Sequence, residues 1–240
     1  MRLATALLFL TLTSTAAAAA DNAERAAIGF SPDGRYFAFE QYGVQDGSGF
    51  PYSEIFVIDL DANQWVKGSP FRERIEDEAA LVSSVRAKAA RSAAALLGQL
   101  KTAEPGQALA AQLPTQAAAD HHRIDFDPFY WNQVNQKGGQ YTLSLELAPF
   151  AAPENCYAED GKQMGFKLML KDNQSGAGKE VHKDTAIPSS RYCPRDYDIS
   201  DVIAYRPASG ATRLVALIGV YTPGFEGVNR RYIAVPFSLP

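Results

Sequence analysis

Four polar side chains crowd one short segment of the chain: His182, Asp184, Ser189 and Arg191 in VHKDTAIPSSRYCP. A nucleophilic site needs a hydroxyl or thiol, a base and a group that orients the base. This segment offers all three types, and Cys193, paired with Cys156, would hold it rigid. The competing reading is a polar surface loop anchored by that disulfide. No G-x-S-x-G turn supports an esterase-type nucleophile. A second group of candidates lies in GFEGVNRR, where Phe225 offers an apolar plug and Glu226, Arg230 and Arg231 offer charge. A third lies in DGRYFAFEQYG, with Asp33, Arg35, Glu40 and Tyr42. Glu40 and Glu226 together would suit acid–base work on a sugar if their carboxyls stood about 5–10 Å apart. Ion pairs bridging the two segments, such as Glu40 with Arg231, are the plainer use of the same residues.

Other motifs fail on spacing. DLDANQ (59–64) begins like a calcium loop but has Gln64 at the glycine position and Pro70 at the twelfth, so an Asx-type turn is expected. GAGK (176–179) lacks the full phosphate-loop spacing and is read as a hairpin tip. In HHRIDFD (121–127), His121, Asp125 and Asp127 alternate onto one face, while His122 points away. A three-ligand surface site competes there with a solvated strand edge, and no Cys/His spacing favours metal. No cofactor is expected.

The 240 residues carry a net charge of −4, and no basic cluster favours nucleic acid. Arg2, the apolar stretch Leu3–Leu12 and AAA at 18–20 read as a secretory signal with cleavage after Ala20. The apolar stretch is too short to span a bilayer, which takes about 20 residues, and no later run is a transmembrane candidate. Residues 21–240 then form a single domain. In an exported chain the two cysteines, Cys156 and Cys193, read as a disulfide. Closing their loop of about 38 residues would stabilise the fold by roughly 4 kcal/mol. Free thiols, one of them nucleophilic, are the rival reading.

The elements that must position these residues are mostly strands. Residues 28–67 read as a four-stranded meander. SPDG makes a turn, RYFAFEQY alternates with Phe37 and Phe39 on one face, and EIFVIDL is apolar enough to be buried on both. Residues 69–101 are alanine-rich and read as one long helix, with Ser69 as N-cap, Pro70 at N1 and an apolar stripe from Ile75 to Leu100. Acids crowd its first half and bases its second, which suits the helix dipole. Arg86 interrupts the stripe and would either snorkel or pair with Glu78. Residues 102–120 read as loop. Strands resume at 121–126, 140–147, 164–172 and 179–184, then at 201–207, 211–221 and 230–239. The last three repeat the strand–turn–strand–loop–strand order of the opening meander.

IGFSPDGRYFAFEQYG resembles a propeller repeat of the periplasmic Tol translocation protein over about 32 residues. Only two such meanders occur, too few to close a ring. SPDGRYFAFEQYG, IEDEAA, IPSSRYCP and PGFEGVNRRYIAV together resemble a family of predicted secreted bacterial proteins catalogued as a domain of unknown function. The resemblance runs from about residue 28 to 239. It implies export and a single domain, and it carries over no activity or catalytic residue. The expectation is a β-rich α+β protein, with two blade-like antiparallel meanders and one long helix packed across the sheet. It would be periplasmic or secreted and serve as a binding or assembly module, with an envelope protein or small ligand as partner. The alternative is a hydrolase of envelope glycans or esters, using His182/Asp184 or Glu40/Glu226. Convergence of those side chains in one cleft would favour the enzyme.

Overall fold

The computed structural model describes residues 20–113, 115–116, 119–128, 139–156 and 161–239. The expected leader, save Ala20, lies outside the described residues. Strands dominate: β1 Glu24–Phe30, β2 Tyr36–Val44, β3 Pro51–Asp59, β4 Gln64–Trp65, β5 Phe71–Arg74, β6 Gln107–Ala111, β7 Arg123–Phe126, β8 Tyr141–Ala151, β9 Lys162–Asp172, β10 Gly178–Lys183, β11 Asp196–Tyr205, β12 Arg213–Pro223 and β13 Val228–Phe237. One α-helix, α1, covers Val82–Leu100.

The strands form three antiparallel sheets. The first runs β1–β2–β3–β4, with β5 also on β3; the second runs β10–β9–β8–β7; the third runs β13–β12–β11–β6. The third sheet is the middle layer, and the reason is legible in β12. Its run LVALIGV is apolar at every position except one glycine, so alternation sends large side chains to both faces. Leu214, Ala216, Ile218 and Val220 pack against Leu143, Phe166 and Leu168 of the second sheet. Val215 and Leu217 pack against Phe37, Phe39 and Phe56 of the first. The two blade-like meanders of the sequence therefore sit in separate, stacked sheets, and a third meander completes the stack. Gly219 is the exception in β12 because Asp198 fills the space beside it. That buried carboxylate accepts hydrogen bonds from the Gly219 N–H (3.0 Å), Ser200 Oγ (2.9 Å) and Tyr221 Oη (2.6 Å). A methyl group on residue 219 would lie 2.2 Å from Asp198 Oδ1.

The helix lies on the outer face of the first sheet, where Ala89, Ala93 and Leu97 cover Ile28, Ile55 and Phe71. It is shorter than expected. Residues 69–81 are not helical: Ser69 Oγ accepts the Val57 N–H (2.7 Å) instead of capping, and 71–74 form β5 on β3. The N-cap position is Leu81, and the first turn contains no acid. The acids Glu73, Glu76, Asp77 and Glu78 precede the helix, so the expected match to its dipole is absent. Residues 107–111, read as loop, pair with β11 as β6. No helix among the described residues is long and apolar enough to cross a membrane.

Arg86 explains its own place in the apolar stripe. It reaches across to β2 and donates to Glu40 through Nε (3.0 Å) and Nη2 (2.8 Å), not to Glu78. Its guanidinium carbon also stands 3.8 Å from the centroid of Tyr42. Arg86→Ala is expected to cost about 1–3 kcal/mol, the range for depriving a buried acceptor, here Glu40, of its partner. Urea unfolding at pH 7 checks this, with Arg86→Lys recovering part of the loss.

Candidate functional site

The segment that crowds polar residues is also the one the fold braces most heavily. Strand β10 ends at Lys183, and the chain then crosses the end of β9 in a loop containing the short 3-10 turn Ser189–Arg191. Cys193 closes the loop through a disulfide to Cys156, in the segment that follows β8. Gly165 lets the loop approach, since a Cβ there would sit 2.5 Å from the Phe150 ring and 3.1 Å from Asp184 Cβ.

Asp184 is the hub. Its side chain is 3% exposed, and each oxygen is engaged. Oδ2 accepts from Arg191 Nη1 (2.6 Å) and the Phe166 N–H (2.9 Å), while Oδ1 faces His182 Nε2 at 3.0 Å. Arg191 lies over the Phe166 ring, 5.0 Å from its centroid, and His182 stacks on the same ring at 4.7 Å. Tyr197 Oη donates to the Met164 carbonyl (2.9 Å). Burial pushes the Tyr197 phenol up to about 12. Burial also acts to raise the Asp184 carboxyl, but the bonds from His182 and Arg191 outweigh it and hold the group below the ordinary carboxylate range. A depressed carboxyl stabilises the fold above its unfolded pKa of about 3.9 and loses that contribution as pH falls through the folded value. The stability gap between the wild type and Asp184→Asn should therefore be wide at pH 7 and close below about pH 4. Urea midpoints measured between these conditions test it.

The cluster forms one wall of a cleft of about 430 Å³. Trp65 and Gln64 of β4 form the opposite wall, and Ile233, Ala234 and Val235 of β13 form the floor. A smaller cleft of about 200 Å³ adjoins it, sharing Trp65, Ser190, Arg191 and Ile233 and adding Tyr192, Arg72 and Arg231. Trp65 is 42% exposed and Tyr192 54% exposed, one on each side. Tyr192 holds φ 51° and ψ −147°. Such a conformation costs a non-glycine residue about 1–3 kcal/mol and persists only when its surroundings impose it. The Tyr192 N–H donates to the Ser189 carbonyl (3.1 Å), and Cys193, next in sequence, is tethered to Cys156.

Of the sequence candidates, His182, Asp184 and Arg191 come together here, and Arg231 lines the adjoining cleft. The others lie elsewhere. Asp33 caps the 31–34 turn by accepting the Arg35 N–H, and Arg35 pairs with Asp59 (2.7 Å). Glu40 and Tyr42 lie under α1, with Glu40 also accepting from Ser53 Oγ (2.8 Å). Phe225 is 81% exposed at a loop tip, where the Glu226 N–H donates to Asp46 (2.9 Å). Glu40 and Glu226 therefore belong to different parts of the molecule and share neither cleft. Arg230 is buried over the Tyr232 ring. Arg231 pairs with Asp21, not Glu40, and covers the Tyr52 ring at 4.5 Å. Asp59 Oδ1 accepts the Asp61 and Ala62 N–H groups, the Asx turn expected of DLDANQ. Asp125 bonds Thr142 Oγ1 (2.6 Å) and Asp127 accepts the Gln140 N–H (2.6 Å), so these carboxylates are separately engaged. Trp65, Tyr192 and Arg72 were not among the candidates; the one available signal was an exposed-type aromatic beside a tethering cysteine.

A stack of three sheets, with an intact disulfide bracing a loop over a lateral cleft, defines a β-rich protein that works outside the reducing cytoplasm. Residues 38–238 match the family described as "Predicted secreted protein (DUF2259)". The chain belongs to that family, a secreted one of unknown function. No curated protein matches it.

Proposed function

We propose that this secreted protein is a non-catalytic binding module of the cell envelope that holds its ligand between Trp65 and the disulfide-braced loop. The observation that carries this reading is the pair of part-exposed aromatics, Trp65 and Tyr192, flanking the smaller of two adjoining clefts, with Tyr192 held in a strained conformation. Strain of this kind gathers at sites that must be preformed. The polar groups of the wall are also locked in advance: Asp184 fixes Arg191 and His182 before any ligand arrives, which reduces the ordering cost of binding. In the hydrolase reading, His182 would need a nucleophile as hydrogen-bond partner. Among the described residues its ring bonds only Asp184.

The test is tryptophan fluorescence and calorimetric titration of the purified chain against soluble cell-wall fragments, oligosaccharides and linear peptides. Trp65→Ala is expected to weaken binding at least about tenfold, or 1.4 kcal/mol. Turnover of any ester, glycan or peptide by the wild type that His182→Ala abolishes would overturn the proposal.

A further inference from the structure

The cleft floor is a sheet edge. β13 ends the order β13–β12–β11–β6, so one of its sides faces away from β12. Along an antiparallel pair, alternate residues exchange both backbone bonds with the neighbour and the rest point outward. Residue 230 belongs to the outward set, because its N–H donates to the Asp21 carbonyl (3.0 Å) and its carbonyl accepts the Ala23 N–H (3.1 Å). Residues 232, 234 and 236 therefore point outward too. Tyr232 agrees, donating its N–H to Gln41 Oε1 (2.7 Å). Pro236 agrees, having no N–H to give. Between them both backbone groups of Ala234 lie on the edge that floors the 430 Å³ cleft, and the Tyr232 carbonyl lies beside it at the smaller one; none of the three has a hydrogen-bond partner among the described residues.

The first half of this same edge already carries an added strand. Residues 21–23 lie along it, bridging in parallel at Asn22 and Arg230. The edge is thus straight and open enough to take an extended chain, and the strap stops just where the cleft begins. We propose, building on the reading of the cleft as a ligand site, that its occupant is an extended segment of a partner polypeptide that continues the strap by adding a strand at Ala234. Strand addition draws affinity from main-chain bonds and specificity from pockets for alternate side chains. Here the two walls differ. Ile58 and Trp65 on one side suit an apolar side chain. Lys183 on the other suits an acidic one, since it has no ion pair among the described residues, whereas His182 beside it is already engaged by Asp184. The partner segment alternates apolar and acidic residues.

The experiment selects linear ten-residue peptides from a random display library on the exported chain, then measures the selected peptides by titration and by amide hydrogen exchange. The expected result is an alternating apolar–acidic consensus and at least tenfold slowing of exchange at the Ala234 N–H on binding. Ala234→Pro removes that N–H at an outward position, where proline is tolerated; it should keep the wild-type melting temperature and lose at least tenfold in affinity. Should it fail to fold, Lys183→Glu serves instead and should shift selection away from acidic residues. Peptide or glycan binding that Trp65→Ala removes but Ala234→Pro leaves intact would overturn strand addition and spare the cleft reading. Absence of any ligand dependent on Trp65 would overturn both. Concentration-dependent dimers abolished by Ala234→Pro would assign the edge to a second copy and overturn the proposal.

Discussion

Replacing Arg191 with methionine is expected to cost about 3–5 kcal/mol of folding stability, the penalty for leaving one half of a buried ion pair alone. The expectation rests on Asp184, whose side chain is 3% exposed and whose one other side-chain partner among the described residues is His182. Methionine keeps most of the volume over Phe166 and Tyr197, so the loss reports charge more than packing. A second variant separates the two. In Asp184→Asn/Arg191→Met no unpaired charge remains, and about half of the penalty should return, because a neutral buried pair costs less than an isolated ion. Equilibrium urea unfolding at pH 7 measures both. A loss below about 1 kcal/mol for the single variant would mean that Asp184 is not ionised at this site.

Removal of the disulfide should be as severe. In the chain-entropy picture, opening a loop with 37 residues of sequence separation costs about 4 kcal/mol. Cys156→Ser/Cys193→Ser should show this loss, and addition of reductant should lower the melting temperature of the wild type while leaving the variant unchanged. The same variant should bind the cleft ligand more weakly than its stability alone explains. Without the disulfide, the bond from the Tyr192 N–H to the Ser189 carbonyl (3.1 Å) is left to hold Tyr192 at φ 51°, and the ring should be less firmly placed at the cleft wall. Retention of full affinity in the reduced protein would separate the disulfide from the site.

The sheets were more legible than the helix, for reasons that particular segments make plain. LVALIGV and EIFVIDL announce strands covered on both faces because their apolar residues do not alternate with polar ones. RYFAFEQY places its two phenylalanines correctly because period-two alternation is a local property. The start of α1 was misread because SPFRERIEDEAA carries the right cap, the right proline and acids in the right order. Yet its FRER segment pairs with β3, a contact that no local pattern encodes. QALAA was hidden for the opposite reason, since alanine favours helix and only the edge of β11 makes it a strand. The polar cluster at 182–191 could be read directly, as its members are near neighbours in sequence. The cleft could not: its other wall comes from residues 64–65 and its floor from 233–235, which only the stacking of the sheets brings opposite the loop.

The middle layer has a consequence for the order in which the core closes. It is assembled mainly from residues 196–237, which follow the strands of both flanking sheets along the chain. Until these are in place, Phe37, Phe39 and Phe56 on one side, and Leu143, Phe166 and Leu168 on the other, have no surface to seal against. The inner faces of both flanking sheets are thus sealed only when the last hairpins of the chain are in place, which makes closure of the core a late and non-local event.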